Sequence, residues 1–336
     1  MERQILERFP GISCAYRSAE GIDRTEYYGF SDIENSIPVQ EHTIFPACSI
    51  SKFITAIGLL KLQEQGRIRI DAPVNQYLTQ WKLPGADKCE SNATIKELMS
   101  HTAGVVDGED SFYGLRRSDA IVSIQDILDG STSYNHRPVR TEMTPGTEFA
   151  YSDAGYCVLQ RLVEEVTGQE FAEAMQALVL APLGLDKSFF ASSKEIGLHE
   201  NRMACGYDGD NCLIPGKFPQ VPDLAASGFW CTPVELLTIA REFVAAYHGN
   251  SLFLQKTSAQ EIAKPVERFP WVCHGLFTCG ENGRMSQGWS ENGQCMMKLD
   301  LQSGEIAIVM TNRNPEMDQA ESGVEWLVNR YWNENT

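Results

Sequence analysis

The spacing of apolar positions changes period twice along this chain. Residues 11–17 and 25–31 alternate apolar and polar side chains at a period of two, as paired strands do, with a turn at Glu20-Gly21 between them. From Phe53 the pattern becomes helical and almost unbroken: Phe53, Ile54, Ala56, Ile57, Leu59, Leu60 and Leu62 leave little polar face, and Gly66 after Gln65 is a natural stop. A helix apolar nearly all round belongs inside a domain. Helical spacing then dominates, at 95–100, 124–129, 155–167, 170–178 and 234–246. Near the C-terminus, 272–279, 295–301 and 306–311 read again as strands, the last two joined by a turn at Gln302-Ser303-Gly304, and 319–331 closes as an amphipathic helix.

Strands at both ends with helices between them imply an α/β (α+β) chain. One antiparallel sheet, flanked by helices, is built from both chain ends, and the middle is a mostly helical insertion. Residues 1–65 and 225–336 form the sheet part and 66–224 the helical part, with a catalytic cleft expected between them. A chain of 336 residues buries roughly three quarters of its unfolded surface, enough to fold without metals or crosslinks.

Charge narrows the partners. With 45 acidic and 28 basic residues the formal charge is −17, which argues against nucleic acid or an anionic membrane. No apolar run reaches the length of a membrane span, and residues 1–8 are too charged for a signal peptide's apolar core. The ten cysteines are scattered, and Cys14, Cys157, Cys231 and Cys295 sit inside expected core elements as small hydrophobes. Such thiols suit a reducing, cytoplasmic setting, or an exported one only if a signal segment has been removed. The six histidines lie far apart and no metal-ligand motif appears, so neither a metal nor a cofactor is expected.

The chemistry begins at Ser49 and Lys52, in Phe45-Pro46-Ala47-Cys48-Ser49-Ile50-Ser51-Lys52-Phe53. A hydroxyl and an amine one turn apart at the mouth of a buried helix are neighbours at the edge of a core. Free N–H groups in the first helical turn favour an oxyanion there. Desolvation draws the amine towards its neutral, basic form. Taken alone the pair is weak, since Ser-x-x-Lys arises roughly once by chance in such a composition and a serine before a helix is usually a cap.

Its surroundings add more. Residues 45–78 resemble the nucleophile segment of the serine β-lactamase and penicillin-binding-protein superfamily, in particular its class C β-lactamase-like branch with esterase and D-amino-acid peptidase relatives. The stretches 94–104, 145–156, 182–185, 226–233 and 308–312 resemble further segments of that branch, in the same order. The resemblance implies a β-lactamase/transpeptidase-like fold and a metal-independent serine hydrolase forming an acyl-enzyme at Ser49. It also implies that Tyr151, in Tyr151-Ser152-Asp153, shares protons with Lys52. Asp153 stands where the family has asparagine. A carboxylate there only accepts hydrogen bonds, so it is expected to hold Lys52 charged and shift proton abstraction onto Tyr151. The third family motif aligns with Ser286-Gln287-Gly288-Trp289, where Gly288 allows close backbone approach and the Trp289 N–H joins that of Ser49 in an oxyanion hole. Ser286 carries no charge for a substrate carboxylate, and Arg313 is the candidate substitute.

These departures favour a small ester or amide substrate over an efficient β-lactamase or a D-Ala-D-Ala carboxypeptidase, both of which remain alternatives. A weakly catalytic binder or sensor on the same fold is the alternative from another class. The sequence is silent on oligomeric state.

Overall fold

The computed structural model describes residues 2–86, 89–113, 122–219 and 221–332. Its strands are β1 (Gly11–Arg17), β2 (Asp23–Asp32), β3 (Ile37–Pro38), β4 (Phe45–Pro46), β5 (Phe189–Phe190), β6 (Phe229–Cys231), β7 (Phe277–Thr278), β8 (Gly283–Ser290), β9 (Gly293–Asp300) and β10 (Ile306–Thr311). The helices are α1 (Glu2–Leu6), α2 (Ser51–Glu64), α3 (Ile95–Met99), α4 (Ile124–Leu128), α5 (Asp153–Thr167), α6 (Phe171–Met175), α7 (Ser193–His199), α8 (Leu224–Ser227), α9 (Pro233–His248), α10 (Lys256–Ala263), α11 (Gln319–Ser322) and α12 (Val324–Trp332).

Seven strands form one sheet in the order β3-β2-β1-β10-β9-β8-β7, with every neighbouring pair antiparallel. The first long strand lies beside the last, Cys14 opposite Val309, so the two chain ends share one sheet as the alternation implied. Alternate residues of the central strands feed two cores. Ile306, Ile308 and Met310 join the main core around α2, α5 and α9, whereas Ala307 and Val309 pack with Val324, Leu327 and Val328 of α12. Burial on both faces explains why β10 is apolar at nearly every position, and β9 is buried along almost its whole length as well. A second, three-stranded sheet, β4-β6-β5, crosses between the two parts of the chain and delivers β4 to the nucleophile.

Local chemistry places the helix ends. Thr94 and Glu97 make a reciprocal capping box at the start of α3. Thr232 caps α9 through the Glu235 N–H, Pro233 sits in the first turn, and Gly249 ends the helix at φ 83°.

Three expectations need correction. The strand expected over 272–279 reduces to Phe277–Thr278, because Gly275 takes φ 86° and turns the chain back, where a β-carbon would stand 2.9 Å from the Lys52 carbonyl oxygen of α2. The C-terminal helix is broken at Gly323, φ 94°, into α11 and α12. The nucleophile helix begins at Ser51, so Ser49 lies in the 3-10 turn Cys48–Ile50 that precedes it, outside the first helical turn.

Candidate active site

Cys48 adopts φ 47°, a conformation few side-chain-bearing residues take, and this turns the chain sharply between β4 and α2. The turn is pinned by Ser51, whose hydroxyl donates to the Cys48 carbonyl at 2.5 Å and accepts from the Phe229 N–H at 2.9 Å. Ser49 is thereby presented at the surface of the core. On its other side runs β8. A β-carbon built on Gly288 would stand 2.6 Å from the Ser49 nitrogen and 2.6 Å from the Cys48 β-carbon, so only glycine lets this strand approach.

The three proton-handling residues converge on one oxygen. The Tyr151 hydroxyl donates to Ser49 Oγ at 2.8 Å and the Lys52 ammonium at 3.1 Å. Lys52 also donates to the Ala226 carbonyl of α8 at 3.0 Å and meets Asp153 Oδ1 at 2.6 Å, and it is only 3% exposed. Burial pushes the Lys52 ammonium towards losing its proton, but the Asp153 carboxylate, with Tyr151, outweighs it and lifts Lys52 above the ordinary lysine value. Desolvation therefore does not make Lys52 a neutral base in this chain. Asp153, at 2.6 Å, opposes the loss of that proton, the direction expected of an acceptor-only neighbour. Tyr151 is 40% exposed as a residue, yet its hydroxyl end is enclosed. That burial raises its pKa, Lys52 lowers it and Asp153 raises it again, and the outcome is a net rise.

Residues with no distinguishing sequence signal hold this arrangement. His101, at φ 59°, accepts the Ser152 N–H on Nδ1 at 3.1 Å, while its carbonyl accepts the Ala150 N–H at 2.9 Å. Its ring stacks on that of Tyr151, centroids 4.3 Å apart. Both neighbours of Tyr151 are thus tied to one residue. Burial, then the nearby Lys52 charge, keeps His101 neutral, with a pKa well below 6.5. Asp107 accepts from the Ser152 hydroxyl at 2.6 Å and from the N–H groups of Asp153 and Ala154 at 2.8 and 3.0 Å, clamping the start of α5. Asp223 is fully buried, accepts from the Tyr134 hydroxyl at 2.7 Å, and is pushed up to about 7 by burial and by Asp153. His101 lay within a segment already singled out by resemblance, but nothing in the sequence marked Asp107, Tyr134 or Asp223.

Of the third motif, Ser286 and Gln287 line the same crevice as Ser49, Lys52 and Tyr151. Trp289 lines a larger adjoining cavity, of about 550 Å³, that Asp153 also faces. Arg313 is not brought to the cleft. Its guanidinium donates to the backbone carbonyls of Asp208 (3.0 Å), Arg8 (2.6 Å) and Gly209, and it lines neither the crevice nor the cavity. The loop over 208–209 occupies the N–H donors that a substrate carboxylate would need.

Among the described residues no helix is long and apolar enough to cross a membrane, and no group of three or more His, Cys, Asp and Glu side chains is placed to hold a metal ion.

The chain is similar to known proteins in sequence and in fold. The esterase EstB of Burkholderia gladioli is 34% identical over 187 residues, 53% of this chain and 44% of EstB. A teichoic acid D-alanine hydrolase of Staphylococcus aureus is 26% identical over 230 residues, 68% of this chain and 52% of the relative. The chain thus spans about half the length of the curated relatives it matches. Among solved structures, the hydrolase EstCE1 superposes with a TM-score of 0.78 at 18% identity, covering 98% of this chain and 96% of EstCE1. The D-amino acid amidase of Ochrobactrum anthropi SV3 gives 0.77 at 21%, covering 98% and 94%. The family model described as Beta-lactamase matches residues 1–328, and this chain belongs to that family.

Proposed function

We propose that the protein is a metal-independent serine hydrolase that forms an acyl-enzyme at Ser49 and acts on a small ester or amide, as an esterase or peptidase type within the class C-like branch. The observation that carries this reading is that Ser49 Oγ lies within hydrogen-bonding distance of both Tyr151 (2.8 Å) and Lys52 (3.1 Å) at the edge of an open cleft. The esterase, amidase and hydrolase activities that the relatives' names record support it.

In the proposed reaction Tyr151 acts as the phenolate, which the Lys52 ammonium favours. As Ser49 Oγ bonds to the substrate carbonyl carbon, its proton passes to the Tyr151 oxygen. The carbonyl oxygen gains negative charge and is held by the N–H groups of Ser49 and Trp289. When the bond to the leaving group breaks, Tyr151 delivers the proton to it. Water then attacks the acyl carbon, giving its proton to Tyr151, and that proton returns to Ser49 Oγ as the acyl–oxygen bond breaks. Asp153 keeps Lys52 positive throughout, so Lys52 steadies charge and does not itself take the proton.

The test is intact mass after exposure to an activated fluorophosphonate and, separately, to a penicillin, on the natural protein and on Ser49→Ala. A mass increase with the fluorophosphonate that disappears in Ser49→Ala is the expected result. Undiminished labelling of the variant would place the nucleophile elsewhere. The Lys52–Asp153 pair at 2.6 Å also favours a second reading, a binder with a weakened base. A natural protein that binds the penicillin reversibly and takes up no fluorophosphonate would establish it.

A further inference from the structure

The peptide unit that joins Gly288 to Trp289 is held at both of its ends. In the hairpin of β8 and β9, Trp289 pairs with Gln294 and Gly288 with Cys295. The Gln294 N–H donates to Thr311 Oγ1 of β10 at 3.0 Å, and that hydroxyl donates back to the Gln294 carbonyl at 2.9 Å. Both polar groups of Gln294 therefore face β10, the 289–294 pair exchanges no hydrogen bonds, and the Trp289 N–H points away from β9. β7 pairs only with Arg284 and Met285, so no strand takes that N–H at the edge of the sheet, where the Ser49 nitrogen stands 2.6 Å from a β-carbon built on Gly288. The Gly288 carbonyl, across the same trans peptide, points the opposite way.

That carbonyl is met by Gln319, the first residue of α11. Its Nε2 donates to the Gly288 carbonyl at 2.9 Å and to the Cys295 carbonyl at 3.1 Å, and the residue is 3% exposed. The opposite amide orientation would set Oε1 against two carbonyl oxygens, so the donor end has one placement. Oε1 is buried and makes no hydrogen bond. An unpaired buried oxygen costs stability, so packing alone does not account for an amide at this position. The contact is anchored on either side by Gln294, which is itself fully buried: its Nε2 donates to the Met317 carbonyl at 2.6 Å, and its Oε1 accepts from the Ser322 hydroxyl at 2.6 Å. Asp318 caps α11 through the Glu321 N–H at 2.8 Å.

Resting on the hydrolase reading above, we propose that Gln319 is a positioning residue of the oxyanion hole: by donating to the Gly288 carbonyl it fixes the plane of the Gly288–Trp289 peptide and strengthens the Trp289 N–H as a donor to the substrate's carbonyl oxygen. The carbonyl and the N–H belong to one resonance system, so drawing electron density onto the oxygen leaves the N–H more positive. The plane matters equally, since an oxyanion donor acts only when it lies about 2.7–3.1 Å from the place where charge develops. The Gln319 side chain bonds to none of Ser49, Lys52 and Tyr151, so its effect falls on the charge the substrate acquires and not on proton transfer.

The experiment compares kcat/KM for an aryl ester and for its thionoester, identical except that sulfur replaces the carbonyl oxygen, on the natural protein, Gln319→Met and Gln319→Asn. Sulfur is the weaker acceptor, so the thionoester gains less from oxyanion donors. Methionine fills the space without a donor. Asparagine keeps a polar amide in the buried site but is one methylene too short to reach both carbonyls, and it carries the test if the methionine variant does not fold. Each variant is expected to lose about 5-fold on the ester, short of the roughly 10²-fold that follows loss of an oxyanion donor itself, and less than about 2-fold on the thionoester. A fall by the same factor on both substrates would mean that Gln319 only supports the fold, and unchanged ester turnover would mean that it does nothing for the site; either result overturns the proposal. Fluorophosphonate labelling of Ser49 in the natural protein judges the hydrolase reading separately. With labelling intact and the ester preference unmoved, only the role of Gln319 falls, whereas absence of labelling removes both.

Discussion

Replacing Asp153 by asparagine separates the two effects that set the charge of Lys52. In the natural chain the ammonium is 3% exposed and its carboxylate partner is 2.6 Å away. Asparagine keeps the shape and removes the charge, leaving burial, which favours the neutral amine, without its main opponent. Stripping one partner from a buried pair costs about 3 kcal/mol, the low end of the usual range, because Asp153 is itself 21% exposed. At 1.36 kcal/mol per pKa unit, this lowers the Lys52 pKa by about 2. Lysine and tyrosine then titrate as a coupled pair at lower pH, since Asp153 raises both of them.

The assay is kcat/KM for a neutral aryl ester against pH on both proteins. The natural protein is expected to gain activity steadily through neutral pH into the alkaline range, because burial raises the Tyr151 hydroxyl above its ordinary 10.0. The variant's rising limb is expected about 2 pH units lower. Stability should follow the opposite sign. Lys52 has a folded pKa above its ordinary 10.5, so the pair's contribution is complete below 10.5 and is lost only as pH rises through the folded value. The natural protein should therefore be more heat-stable than the variant across the whole neutral range. Superimposable rate profiles would refute the reasoning, and would mean that the Lys52–Asp153 pair does not govern the proton that Ser49 gives up.

Further outcomes follow from the same geometry. Tyr151→Phe and Lys52→Met should each lower turnover by about 10²-fold or more, and the double variant should lose far less than their product, as expected of residues acting on one oxygen. Gly288→Ala drives a β-carbon to 2.6 Å from the Ser49 nitrogen, so acylation measured by fluorophosphonate labelling should fall steeply; an unchanged labelling rate would show that β8 does not contact the nucleophile. His101→Phe keeps a ring beside Tyr151 but leaves the Ser152 N–H without its acceptor, a loss of about 1–3 kcal/mol that thermal or denaturant unfolding would register. Thiol titration of the denatured, unreduced chain should find all ten cysteines free.

What the sequence determined is what depends on near neighbours. The apolar run from Phe53 to Leu62 has little polar face to show water, so it had to become the buried α2, and a spacing of three positions from Ser49 to Lys52 brings hydroxyl and amine together whichever side of the helix start the serine falls. The apolar run at 306–311 made a strand that is apolar on both faces, and it could only be satisfied between two cores, paired with the strand at 11–17. Thr232, Pro233 and Gly249 announced both ends of α9.

The tertiary structure decided the electrostatics. Lys52 is held towards its charged form because Asp153, about a hundred residues on, meets it at the cleft edge of the core, where burial of the ammonium weakens screening of the pair. Arg313 is absent from the cleft because the 208–209 loop offers it carbonyls first, a contact with no local signature in the chain. His101 and Asp107 hold Tyr151 and the start of α5 through bonds spanning 45 to 51 positions. Periodicity reports which face of an element is buried. It carries no record of which distant group will stand 3 Å away, and proton affinity in a low-dielectric interior is set by those distances.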